Sequence, residues 1–143
     1  TMAILFDRSG DDVYRFGWEG IGDAINTSQA FFIEGGGDDT YVLDAGKNGL
    51  GSTNFNAATW PPPIEANYQY CATKIGLFFD LGGTDHYLER NPDGTETPSP
   101  QLHDDLQLLR PADPSVGNDR HYGIFRDGDF DVNAISWFQA GIR

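Results

Sequence analysis

Short apolar runs alternate along this chain with polar, glycine-rich turns. Ala3–Asp7, Ala30–Glu34, Ile75–Asp80 and Tyr122–Arg126 are brief, rich in aromatic and β-branched residues, and bounded by turn formers, which predicts strands. After the turns, Asp12-Val-Tyr-Arg-Phe16, Asp39-Thr-Tyr-Val-Leu43 and Asp85-His-Tyr-Leu-Glu89 alternate polar and apolar residues. That period of two predicts half-buried strands. One segment departs from it. Leu102, Leu106 and Leu109 fall at i, i+4 and i+7 between flanking prolines, and the spacing predicts a short helix over Leu102–Arg110.

The strand pairs share a pattern. Ile4-Leu-Phe-Asp-Arg-Ser-Gly-Asp-Asp-Val-Tyr14, Phe31-Phe-Ile-Glu-Gly-Gly-Gly-Asp-Asp-Thr-Tyr41 and Leu77-Phe-Phe-Asp-Leu-Gly-Gly-Thr-Asp-His-Tyr87 each read as three apolar residues, an acid, a glycine turn, an Asp and a Tyr. Gly117-Asn-Asp-Arg-His-Tyr122 reads as a looser fourth copy, and Asp127-Gly-Asp-Phe-Asp131, after Gly123-Ile-Phe-Arg, as a fifth acidic loop. Self-similarity of this kind marks a repeat architecture. The intervals between Gly10, Gly37, Gly83 and Gly117 are unequal at 27, 46 and 34 residues, so loops are inserted between the copies, at about 46–63 and 91–120. The expected fold is all-β, a single domain over residues 1–143, built as an irregular parallel β-solenoid with inserted loops and one short helix. The competing arrangement is an antiparallel β-sandwich in which each acidic turn closes a hairpin.

The turns Glu34-Gly-Gly-Gly-Asp-Asp-Thr-Tyr-Val42 and Asp80-Leu-Gly-Gly-Thr-Asp-His-Tyr-Leu88 resemble the calcium-binding nonapeptide Gly-Gly-x-Gly-x-Asp-x-apolar-x of repeats-in-toxin (haemolysin-type) proteins. Gly35, Gly37, Asp39 and Tyr41 match its second glycine, last glycine, aspartate and apolar positions. Gly83, Asp85 and Tyr87 match the last three, as do Gly10, Asp12 and Tyr14. The chain also resembles a looser class of bacterial extracellular proteins with Asp-x-Gly-Gly-x-Asp-x-Tyr repeats. The resemblance implies a parallel roll in a secreted bacterial protein, with turn carbonyls and aspartates holding Ca²⁺ between successive coils.

Composition narrows the function classes. Among 143 residues, 22 are acidic and 9 basic, a net charge of −13. No basic patch is available to neutralise phosphates, which argues against nucleic acid and anionic membranes. Cys71 is the only cysteine, so an internal disulfide framework and a thiolate zinc cluster are both excluded. No apolar run reaches the roughly 20 residues of a membrane-spanning helix. Glycine, at 18 residues, exceeds the usual share of about 7%. Much of that excess lies in the repeated turn.

The candidate chemistry follows from the same turn. Ca²⁺ takes six to eight oxygens from carboxylates and turn carbonyls, and stacked coils bring Asp7, Glu34 and Asp80 together, a ladder that calls for a counterion. The candidate metal ligands are Asp7, Asp12, Glu34, Asp39, Asp80, Asp85, Asp127, Asp129 and Asp131. The competing reading is that Asp and Gly simply form tight turns. Tyr14, Tyr41, Tyr87 and Tyr122 are expected to stack as a core ladder. Trp60, before three prolines, is the candidate contact for a glycan or partner. His86 and His121 each precede a repeat tyrosine and are expected at similar surface positions, and no spacing among the histidines suggests a transition-metal site. If Thr1 is a processed terminus, its hydroxyl and amine match the pair used by N-terminal hydrolases. Thr1-Met2 otherwise reads as a cloning remnant or the edge of a fragment. No nucleophile elbow, phosphate loop or dinucleotide fingerprint is present. The resulting expectation is a structural or interaction module, bacterial and extracellular or on the cell surface, with calcium-supported turns. It associates with copies of itself or with further coils of a longer chain, as in a filament or surface layer. Glycan binding and an N-terminal-threonine hydrolase stand as alternatives.

Overall fold

A computed structural model describes residues 1–17, 20–24, 28–47, 49–53, 74–110 and 121–128. Nine strands run through them: β1 (Met2–Phe6), β2 (Val13–Arg15), β3 (Gln29–Glu34), β4 (Thr40–Asp44), β5 (Lys74–Asp80), β6 (His86–Arg90), β7 (Glu96–Pro98), β8 (Gln107–Arg110) and β9 (His121–Arg126). They form two sheets, ordered β1-β3-β5-β9-β8 and β2-β4-β6-β7. The protein is all-β, and no helix occurs among the described residues.

The acidic turns after β1, β3 and β5 each carry the chain from the first sheet to the second. The strands flanking a turn therefore never pair with each other, which removes the hairpin-sandwich alternative. Pairing runs instead between equivalent strands of successive repeats, and it is parallel: β1 with β3, β3 with β5, β5 with β9, β2 with β4, and β4 with β6. The register is exact to the repeat. Leu5, Phe32, Phe78 and Phe125 are successive partners, and so are Tyr14, Tyr41 and Tyr87.

In-register pairing stacks like on like. Phe32, Phe78 and Phe125 stack at centroid separations of 5.2 and 4.8 Å, and Tyr14, Tyr41 and Tyr87 at 5.2 and 5.0 Å. The two columns meet edge to face between the sheets, as Tyr41 meets Phe78 at 5.1 Å. Offset stacks crossed by edge-to-face contacts suit the ring quadrupoles. With Leu43, Leu50 and Leu102 these rings make the main core. Leu77 and Phe79 form a second cluster with Phe31, Ile33, Ile75 and Ile124. The strands of the first sheet are apolar on both faces for this reason, as expected of a parallel sheet.

Four sequence expectations are corrected. The Leu102–Arg110 segment is not a helix. Asp105 has φ +62°, which no right-handed helix contains, and Gln107–Arg110 pairs antiparallel with β9. Nine residues are too few to hold a helix without strong packing, and a strand edge was available. The fourth copy is not centred on Gly117. In β9, Gly123-Ile-Phe-Arg126 pairs with Gly76-Leu-Phe-Phe79, so Asp127 follows β9 as Asp80 follows β5, and the loop first counted as a fifth is the fourth. Tyr122 pairs with Ile75 in the first sheet and cannot continue the tyrosine column of the second. His86 and His121 likewise lie in different sheets. Within the expected 91–120 insertion, β7 and β8 add antiparallel edge strands to the two sheets.

A second repeat escaped the sequence reading. Gly20-Ile-Gly-Asp-Ala24 and Gly49-Leu-Gly-Ser-Thr53 lie side by side. Ala24 and Thr53 form a parallel bridge, the Ala24 amide donates to the Ser52 carbonyl at 3.0 Å, and Ser52 Oγ donates to Asp23 at 2.8 Å.

Close approach explains the turn glycines. A Cβ on Gly37 (φ +152°) would overlap the Gly10 carbonyl, and one on Gly83 (φ +140°) the Gly37 carbonyl. Gly46 also has positive φ, +69°, yet a Cβ there meets nothing within 4 Å. Gly46→Ala is therefore expected to cost only the left-handed strain of about 1–2 kcal/mol, and Gly37→Ala clearly more, up to loss of folding. Urea unfolding of both variants checks this. Equal costs would mean that the turns do not press on one another.

Candidate metal centre

The register of the first sheet fixes the acids as firmly as the rings. Glu34 pairs with Asp80 across β3 and β5. Asp7 directly follows β1, its amide donating to the Ile33 carbonyl at 2.9 Å, and Asp127 directly follows β9. From the other side of each turn come Asp39 and Asp85, just before β4 and β6. Glu34, Asp39 and Asp80 are fully buried, Asp127 is 1% exposed and Asp85 4%.

Two clusters result. Glu34, Asp39 and Asp80 bring one carboxylate oxygen each to within 4.8 Å of one another, and Asp80, Asp85 and Asp127 do the same. A cation bonded at 2.3–2.6 Å needs its ligand oxygens no more than about 5 Å apart, so both clusters could hold a metal ion.

The hydrogen bonds have a common form. Asp39 Oδ1 accepts the Asp12 amide at 2.7 Å, and Asp85 Oδ1 the Asp39 amide at 2.7 Å. Glu34 Oε2 accepts the Gly36 amide, and Asp127 Oδ2 accepts the Tyr87 hydroxyl at 2.8 Å. In each of these four carboxylates the other oxygen, Asp39 Oδ2, Asp85 Oδ2, Glu34 Oε1 and Asp127 Oδ1, is buried without a hydrogen-bond partner among the described residues. Asp80 differs, its Oδ2 accepting from Tyr41 at 2.5 Å and its Oδ1 from the Gly82 amide at 3.3 Å. Buried acceptors are rarely left unsatisfied, and each orphan costs about 1–3 kcal/mol or more when charged. Four orphans in two adjoining clusters call for a cation or for protons.

Electrostatics says the same. Burial pushes the Glu34 carboxyl up to about 7 against the Gly36 amide, which stabilises the charge, with Asp39 and Asp80 adding repulsion. Burial pushes Asp80 up to about 7 as well, with Asp85 and Asp39 adding repulsion and the Tyr41 hydroxyl opposing. Asp39, Asp85 and Asp127 are raised, burial leading in each case. Burial and the adjoining carboxylates hold the Tyr41 and Tyr87 phenols protonated, so both remain donors.

The first repeat does not join in. Asp7 accepts the Arg8 amide at 2.7 Å and the Tyr14 hydroxyl at 3.0 Å, and among the described residues neither Asp7 nor Asp12 belongs to a cluster. Asp129, Asp131 and Trp60 lie outside the described residues. The sequence reading missed two features. One is the tyrosine hydroxyl as partner of a strand-end acid, Tyr14 with Asp7 of its own copy but Tyr41 and Tyr87 with the acids of the next, Asp80 and Asp127. The other is an outer ladder, in which the Asp38 amide donates to Asp11 Oδ1 at 3.1 Å and the Thr84 amide to Asp38 Oδ1 at 2.9 Å.

Compared with protein-family models, curated proteins and solved structures, the chain has no match. Its site is read from its own chemistry.

Raised carboxyl pKa values set a pH dependence for the cation-free chain. Between the unfolded values near 4 and the folded values near 7 the native state holds more protons than the unfolded one, so stability falls as pH rises through that window. Without divalent cations the melting temperature is expected to be higher at pH 5 than at pH 8. A melting temperature that rises with pH would show that the carboxylates are stabilised as anions by the protein alone.

Proposed function

We propose that this protein is a structural or interaction module, an irregular β-solenoid whose acidic turns are held together by calcium. The observation that carries the reading is that, of the five buried carboxylate oxygens without partners among the described residues, four belong to two clusters of ligand spacing, the fifth being Asp104 Oδ1. A hard cation that favours oxygen ligands matches this donor set, which contains no His or Cys. The rest of the six to eight ligands would come from second carboxylate oxygens, turn carbonyls and water. Parallel, in-register pairing of equivalent strands in both sheets supports the solenoid, as does the parallel bridge between the two Gly-x-Gly loops.

The module is proposed to act outside a bacterial cell or on its surface, where calcium is abundant enough for sites in the 10⁻⁴–10⁻³ M range typical of extracellular modules. Its partner surface is the β1/β2 end. Met2, Ile4, Leu5, Phe6 and Val13 are 52–63% exposed there, and Met2–Phe6 contains none of the charges or prolines that usually protect an edge strand. Leu5 occupies the position that Phe32, Phe78 and Phe125 fill in the covered coils. This favours association with a further coil of the same kind, from another copy or from a longer chain.

Thermal unfolding at pH 7.5 tests the calcium reading. Millimolar Ca²⁺ is expected to raise the melting temperature of EDTA-treated protein by several degrees, the size of shift that about 1–3 kcal/mol produces in a domain of this length. An unchanged melting curve removes calcium from the account.

A further inference from the structure

The two clusters are not separate, because Asp80 belongs to both. We propose that they form one carboxylate-bridged centre for two divalent cations, with Asp80 as the shared ligand. This rests on the calcium reading above and goes beyond it in stoichiometry and coupling.

Glu34 and Asp39 complete one half of the centre, and Asp85 and Asp127 the other. The halves are alike in construction. Each has a strand-end acid and a turn aspartate, both buried, with one oxygen bonded to protein and the other without a partner. Carboxylate oxygens of Asp39 and Glu34 lie within 4.8 Å of each other, as do those of Asp85 and Asp127. Two carboxylates so placed need a positive charge between them.

Asp80 sits where the halves join, in the central β5, whose neighbours are β3 and β9. Its oxygens already accept from Tyr41 and from the Gly82 amide, which fixes the side chain while leaving lone pairs on both atoms. Because equivalent groups repeat at the strand spacing of about 4.8 Å, two ions one coil apart would lie at about that separation. One carboxylate can bridge such a pair. Five carboxylates against two dications leave a residual charge of −1, so two ions nearly neutralise the buried acids where one would leave −3.

Mn²⁺, which favours the same oxygen ligands, serves as a paramagnetic probe alongside ⁴⁵Ca equilibrium dialysis on the whole chain. Wild type is expected to bind two Ca²⁺ per chain. With two Mn²⁺ bound, its electron paramagnetic resonance spectrum should be broadened by coupling between the ions. Glu34→Gln and Asp127→Asn should each retain one ion and show the resolved spectrum of isolated Mn²⁺, and Asp80→Asn should lose both. Circular dichroism identifies any variant that fails to fold, and the wild-type spectrum and the two single-site variants still decide the question if Asp80→Asn is one. Two ions without coupling, one ion per chain, or an Asp80→Asn chain that keeps an ion at unchanged affinity would overturn the bridged centre while leaving calcium binding intact. No ion bound to wild type would overturn the calcium reading itself.

Discussion

In-register parallel pairing is the constraint on which the rest of this structure depends. When equivalent strands lie side by side, every residue of one repeat lands on its counterpart in the next. For Phe32, Phe78 and Phe125 the result is a stacked column, and for Tyr14, Tyr41 and Tyr87 a second one. The same operation sets Glu34 on Asp80 and makes neighbours of Asp39 and Asp85. Aromatic rings gain by it, whereas carboxylates repel and lose their water. A fold cannot keep the first outcome and refuse the second.

Each turn offsets part of the electrostatic cost locally. Backbone amides reach across to the next repeat's aspartate, from Asp12 to Asp39 and from Asp39 to Asp85, and this is possible because the glycines let the turns approach so closely. The tyrosine column contributes too, its hydroxyls capping the strand-end acids Asp7, Asp80 and Asp127. Together with the Gly36 amide on Glu34 and the Gly82 amide on Asp80, these contacts satisfy one oxygen of each clustered acid, and both of Asp80. What is left over on these acids, among the described residues, is one buried oxygen each on Glu34, Asp39, Asp85 and Asp127, a demand for positive charge.

The strands, the turns and the parallel pairing of Glu34 with Asp80 were legible in the sequence because they are local and repeated. Errors arose where local pattern competes with pairing. The leucine spacing at Leu102, Leu106 and Leu109 fits a helix, but Gln107–Arg110 had a strand edge to complete, and Asp105 turned left-handed before it. The fourth copy was misplaced because Arg126 interrupts its apolar run and Tyr122 mimics the tyrosine of the turn; only the register with β5 separates the two. The clusters could be anticipated as acids on stacked turns. Which oxygens of Asp39 and Asp85 are left without donors could not, since that depends on amides 27 and 46 residues away.

The buried acids at neutral pH carry either protons or a cation, and infrared spectroscopy separates these states directly. Cation-free protein at pH 6 is predicted to show the C=O stretch of protonated carboxylic acids, and added calcium to abolish it in favour of carboxylate bands, with isotope shifts in D₂O identifying the proton-bearing groups. A carboxylic-acid band that persists at saturating calcium, or one that is absent from the cation-free chain, would contradict the account.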